Sequence, residues 1–241
     1  MWLALDTSGD TASVAVGVAG TSPRAEASLQ GARKHASALL PLIDKVLGEA
    51  GVAGVGALTG VLLTDGPGSF TGLRISASVA KAMVLTCGLQ IRTAPSLLVI
   101  AAGALPRPGG PILAVLDALR GELYVAVYEF QAGGVTTHLA PTVATPADLV
   151  MMVRPFAPKA VTGFASEPVL TELHRALGAG RLSPPPAGAP VLLALLATGG
   201  ALQSVEDPRH WEPAYGRPAE AQRKWEETHG RPLPPATGHS R

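Results

Sequence analysis

Residues 4–16, ALDTSGDTASVAV, align without a gap to residues 115–127, VLDALRGELYVAV. Leu5 matches Leu116, Asp6 matches Asp117, and Val14-Ala15-Val16 matches Val125-Ala126-Val127, all at one offset. Each copy reads as strand, turn, strand, with the first strand ending on Asp. A chain whose two halves open on the same hairpin is expected to fold as two related α/β lobes.

The remaining pattern agrees with that architecture. Strands are expected at 24–29, 58–65, 89–94, 135–144 and 159–164, beside the hairpins. Apolar residues at Ala36, Leu39, Leu40, Ile43, Val46, Leu47 and Ala50 repeat at helical spacing up to a natural stop at Gly51. Pro41 places the start of that helix close to Ser37 or kinks it. Further helices are expected at 71–87, 95–104, near 146–152, at 167–177 and from Pro190. The expected units are an N-terminal lobe (1–104), a linker LPRPGGP (105–111), a C-terminal lobe (112–210) and a Pro-rich, charged tail (211–241) whose last ten residues are disordered.

Charged residues make up 15% and hydrophobic ones 47%, but only 4% are aromatic, so the core is built from Ala, Val and Leu. So few charges leave room for a face covered by a partner. A formal net charge of +1 gives no broad pull on nucleic acid. The single cysteine, Cys87, excludes an internal disulfide and suits a reducing compartment. The N-terminus lacks the basic region of a signal peptide. The longest apolar run, VLLALLA, is too short for a membrane span. A cytoplasmic protein with no membrane association is expected.

The loop TDGPGSFTGLR (64–74) looks like a phosphate cradle. A Walker A loop needs Lys-Ser/Thr after its last glycine, and Leu73-Arg74 stands there. A dinucleotide fingerprint needs glycine at 71, which is Thr71. A nucleophile elbow on Ser69 fails at Pro67 and Thr71. What remains is a strand, a turn and a helix start. Gly66, Gly68 and Gly72 permit tight backbone, Pro67 stiffens the turn, and Ser69 or Thr71 caps the helix. Exposed amides there could hold an anion, but a structural turn explains every residue. Asp6-Thr7-Ser8-Gly9 has the shape of the hairpins that grip ATP phosphates in two-lobed sugar-kinase and actin-type folds. An ordinary turn is the other reading, and Leu119 replaces a small residue in the second copy.

Helix 71–87 carries only Arg74 and Lys81 as charges. A surface helix shows a broad polar face, so this one is either buried within its lobe or covered by another chain. His35 precedes the first helix, but Leu39 occupies the place of a second helical metal ligand, and the other histidines are scattered.

LALDTS, KHASALLPLID, TDGPGSFTGLRISASVAKAM, LDALRGELYVAVY and EPAYGRP, in that order, resemble the TsaB (YeaZ) family. The resemblance covers nearly the whole chain, GPGSFTGLR being its most specific part. It implies an actin-like, sugar-kinase-like (ASKHA) fold with duplicated ribonuclease-H-like lobes. It also implies a non-catalytic subunit of the machinery that places threonylcarbamoyl on N6 of adenosine 37 in tRNAs reading codons that begin with A. The implied partners are a TsaD-type catalytic subunit and a TsaE-type ATPase, with a homodimer when the chain is alone and tRNA reached only through the complex. No cofactor of its own is implied, ATP and metal belonging to the partners. The implied partner face lies on the first two helices: His35, Leu39, Leu40, Ile43, Leu73, Arg74, Ser76, Ala77, Ala80, Lys81 and Val84. An autonomous ATPase or kinase of the same fold is the alternative. A metallopeptidase finds neither ligands nor a nucleophile.

Overall fold

The computed structural model describes residues 1–31, 35–104, 109–118, 121–186, 188–216 and 228–230, with the backbone alone for His35. Most of the expected linker, Leu119, and the tail at 217–227 and 231–241 lie outside the described residues.

Two mixed sheets form the frame. The first contains β1 (Trp2–Asp6), β2 (Thr11–Gly17), β3 (Ala25–Gln30), β4 (Gly60–Thr64), β5 (Gln90–Ala94) and β11 (Gln203–Ser204), ordered β11-β5-β4-β1-β2-β3. The second contains β6 (Ile112–Asp117), β7 (Leu123–Gln131), β8 (Gly134–Ala144), β9 (Ala160–Phe164) and β10 (Gly180–Arg181), ordered β10-β9-β6-β7-β8. Each lobe opens with an antiparallel hairpin whose first strand pairs in parallel with the next strand of the sheet. The expected duplicated α/β lobes are present.

Alternation along the strands sends side chains to two different cores. Leu3, Leu5, Val14, Val16, Val61 and Leu63 face outward, beneath α1 (His35–Glu49) and α2 (Phe70–Cys87). Ala4, Ala15 and Leu62 face inward, onto α3 (Ser96–Gly103) and α6 (Ala189–Leu195). The second sheet covers the other side of α3 with Ile112, Ala114, Leu116, Tyr124 and Tyr128. Its outer face carries α4 (Pro146–Val153) and α5 (Glu167–Leu177). The molecule is therefore five layers deep, and the middle helices are apolar because both sheets cover them.

Helix ends follow local chemistry. The α1 stop is a Schellman turn: the Val52 amide donates to the Leu47 carbonyl and Gly51 takes φ 65°. The helix runs through Pro41, which sits on its exposed side. Gly88, at φ 68°, closes α2.

Two expectations change. The expected second lobe, 112–210, does not keep all its residues: α6 packs on β1, β2 and β4, and β11 pairs with β5. The chain returns to the first sheet because that sheet's inner face still needs an apolar cover. The gap-free repeat also slips. Asp6 pairs with Ser13, but Asp117 pairs with Leu123, so the second hairpin turn is one residue shorter. Leu5 consequently faces the outer core and Leu116 the inner one. A one-residue slip reverses every side chain of a strand. Asp6 is buried and Asp117 exposed, so they are not structural counterparts.

Candidate functional site: the hairpin, the glycine loop and the strap across α2

The end of β1 supplies Asp6, which is 9% exposed. Its Oδ1 accepts from the Ser8 amide (3.0 Å), the Ser8 hydroxyl (2.7 Å) and the Thr64 hydroxyl (2.7 Å). Its Oδ2 lies against Gly188, where a Cβ would overlap it. The Ala189 amide donates to Ser13 Oγ at 3.0 Å, fixing the start of α6 on the same hairpin. The donors a phosphate would use at Ser8 and Thr64 are thus turned onto one carboxylate oxygen. Thr7 is fully buried, and its hydroxyl donates to the Gly72 carbonyl at 2.7 Å. Gly9 has open space around its Cα.

The loop from β4 to α2 is held from three sides. The Ser69 amide donates to the Ser8 carbonyl (2.7 Å), the Ser96 amide to the Gly66 carbonyl (2.8 Å), and the Ala214 amide to the Asp65 carbonyl (2.6 Å). A Cβ on Gly68 would meet the Ser8 carbonyl, one on Gly72 the Thr7 carbonyl, and one on Gly66 the Ala214 carbonyl. Gly66 also takes φ 109°. Bare backbone approach, rather than a ligand, accounts for all three glycines. Ser69 is the N-cap, accepting from the Gly72 amide at 3.2 Å, while Thr71 is exposed. Pro67 is buried beside Gly216 of the tail.

Asp65 stands where the lobes meet. Burial pushes its carboxyl up, against a lowering hydrogen bond with the Thr93 side chain. Tyr128, from the second sheet, is 1% exposed, and its hydroxyl has no hydrogen-bond partner among the described residues. Burial first, and then the Asp65 charge, raise its pKa.

The sequence-derived partner residues separate into two sets. Leu39, Ile43, Leu73, Ser76, Ala77, Ala80 and Val84 are buried within the chain, Ala80 at 0% exposure among Leu3, Leu39 and Val61. They are corrected from surface to core positions, because α2 leans its small residues on its own sheet. Leu40 and Arg74 are exposed and Lys81 is half-buried, while the His35 side chain lies outside the described residues. The exposed stripe of α2 is Thr71, Arg74, Ser78, Ala82 and Leu85, of which the sequence reading placed Arg74 alone on the partner face. Ile75, Val79 and Met83 stand half-buried beside it.

The segment Trp211–Gly216 straps across α2. Glu212 accepts from Lys81 Nζ at 2.8 Å and from the Tyr215 hydroxyl at 2.9 Å. The Lys81 ammonium beside it holds the Glu212 carboxyl below its usual range. The Phe70 and Tyr215 rings pack at a 48° tilt with centroids 4.6 Å apart. The strap overlaps EPAYGRP, to which the sequence reading assigned no contact and whose Arg217 lies outside the described residues.

Among the described residues no cluster of three or more His, Cys, Asp or Glu could hold a metal ion. Among them, too, no helix is long and apolar enough to cross a membrane.

Comparison with known proteins places this geometry. Residues 25–177 match the family model described as TsaD: tRNA N6-adenosine threonylcarbamoyltransferase. The chain is 33% identical over 134 residues to the Escherichia coli (strain K12) tRNA threonylcarbamoyladenosine biosynthesis protein TsaB, covering 55% of this chain and 57% of that protein. It is 32% identical over 123 residues to the Haemophilus influenzae protein of the same name, covering 51% of each. The chain spans about half the length of the curated relatives it matches. The structure of YeaZ from Pseudomonas aeruginosa superposes with a TM-score of 0.67 at 26% identity, covering 89% of this chain and 98% of that one. With most of its length matched by that model, the chain belongs to the tRNA N6-adenosine threonylcarbamoyltransferase (TsaD) family, and the curated relatives it matches above are proteins named TsaB.

Proposed function

We propose that this protein is a non-catalytic subunit in threonylcarbamoyladenosine biosynthesis, docking through the exposed side of α1 and α2 onto a TsaD-type catalytic subunit. The observation that carries the reading is Leu39. It stands four residues after His35, where a helical metal pair would need its second ligand, and it is fully buried in the outer core. A leucine pointing into the core supplies no donor and leaves no cavity for an ion. The hairpin supports the same reading, since Ser8 and Thr64 donate to Asp6 rather than to the space between the lobes. The carboxylate they surround would also repel a phosphate.

The TsaB name of the curated relatives supports the pathway, and the exposed stripe on α2 supports docking. Leu40 and Leu85 are 54% and 53% exposed, with Ser78 and Ala82 small enough for close helix approach. ATP and metal chemistry then belong to the partners, with a TsaE-type ATPase joining the pair, and tRNA is met through the assembly. Alone, the chain is expected to form a homodimer through the same face. Co-expression with the TsaD homologue of the same genome, followed by gel filtration, tests the proposal. A stable co-eluting complex is expected, and separate elution would overturn it.

A further inference from the structure

Arg74 lies one turn into α2, with its guanidinium 4.3 Å from the Phe70 ring centroid and 5.5 Å from that of Tyr215. Tyr215 is fixed by the strap, which the Ala214 amide ties to the Asp65 carbonyl and Gly216 seats against Tyr124 and Pro67. The nearby carboxylate, Glu212, is engaged by Lys81 and by the Tyr215 hydroxyl. Among the described residues no carboxylate forms an ion pair with Arg74. In front of it opens a cavity of about 340 Å3 lined by Arg74, Ala77, Ser78, Lys81, Glu212 and Tyr215.

A guanidinium held over the Phe70 ring and hydrogen-bonded to the Tyr215 side chain is fixed in place, and its other N–H groups can take a carboxylate in a two-pronged hydrogen bond. The small residues Ala77 and Ser78 leave room for the incoming group, and the cavity adjoins the exposed stripe of α2. We infer that this cavity is the receptor for an aspartate or glutamate side chain of the protein that docks on α2, with Arg74 as its anchor. The inference rests on the docking reading above. Charge favours a protein carboxylate over nucleic acid. One accessible cation beside a paired Lys81, on a chain of net charge +1, is not the basic surface a phosphate backbone requires.

The test measures binding of the purified full-length chain to the TsaD homologue of the same genome by isothermal titration calorimetry at two salt concentrations. Arg74→Gln is expected to weaken binding about tenfold or more and to flatten its salt dependence. Arg74→Lys should recover only part of the affinity, because an ammonium cannot form the fork. Arg175→Gln makes the same charge change on exposed α5 and should stay within about twofold. Ser78→Glu adds a carboxylate four residues from Arg74, filling the receptor from within, and should weaken binding as Arg74→Gln does. Circular dichroism should show native folding for each variant, and Ser78→Glu carries the decision if Arg74→Gln does not fold. Wild-type binding with either cavity variant folded and bound at wild-type affinity overturns the inference and leaves the docking reading standing. Absence of wild-type binding overturns the docking reading, and the inference with it. Loss of self-association or of tRNA binding in Arg74→Gln, with partner affinity intact, overturns the inference by identifying a second copy or a phosphate as the occupant.

Discussion

Asp65 carries a titratable group into the seam between the lobes, and its chemistry sets a pH signature. Burial raises its folded pKa above the unfolded value of 3.8. Its contribution to stability is therefore fully present below the unfolded value and is lost as pH rises through the folded one. Asparagine keeps the shape without the charge. The stability of Asp65→Asn relative to wild type should rise as pH increases above the unfolded value of 3.8, and level off once pH exceeds the raised folded value. Urea midpoints across that range measure it, and a relative stability that falls with pH would contradict the assignment. In the sequence Asp65 was an inconspicuous member of TDGPGSFTGLR, because nothing local announces that Tyr128, from the other sheet, faces it. The glycines beside it were legible as tight backbone. The atoms they approach, the Thr7, Ser8 and Ala214 carbonyls, required the fold.

Helix α2 shows how far periodicity carries at the level of elements. Its span, its Ser69 cap and the shared side of Arg74 and Lys81 follow from seven-residue spacing and capping chemistry. The direction of its small residues does not, since a stripe of Ser and Ala suits a sheet as well as a partner helix. The structure turns Ser76, Ala77 and Ala80 inward. Ala80→Arg should therefore leave the chain unfolded rather than folded and unassembled, because an unpaired charge in the core costs about 3–5 kcal/mol. Circular dichroism after purification distinguishes the outcomes, and a native spectrum would place Ala80 at a surface. The strap from Trp211 to Gly216 was hidden for a different reason. It has no hydrophobic period, and its contacts with α2 span more than a hundred residues of sequence.

For the whole molecule, the inner core joins what the sequence divides. Ala4, Ala15 and Leu62 of the first sheet, Leu97 and Leu192 of the middle helices, and Ala114 and Tyr128 of the second sheet belong to one cluster. Neither lobe can lose its fold without exposing that cluster, so thermal unfolding should appear as a single calorimetric transition. Two resolved transitions would mean that the lobes are independent. The duplication itself was legible because β2 and β7 keep the same facing, Val14 with Val125 outward and Ala15 with Ala126 inward. The slip between β1 and β6 was not, because turn length is invisible to an alignment in which Asp follows Leu in both copies.

The central claim, a subunit that acts only through a partner, is tested most directly by reconstitution. The purified chain is incubated with threonylcarbamoyl-adenylate and unmodified tRNA, alone and with the TsaD and TsaE homologues of the same genome, and the tRNA is digested and analysed for threonylcarbamoyladenosine by mass spectrometry. The expected result is no modified nucleoside from the chain alone, product from the three proteins together, and loss of that product when the chain is omitted. Modified nucleoside formed by the chain alone, or full activity without it, would contradict the claim.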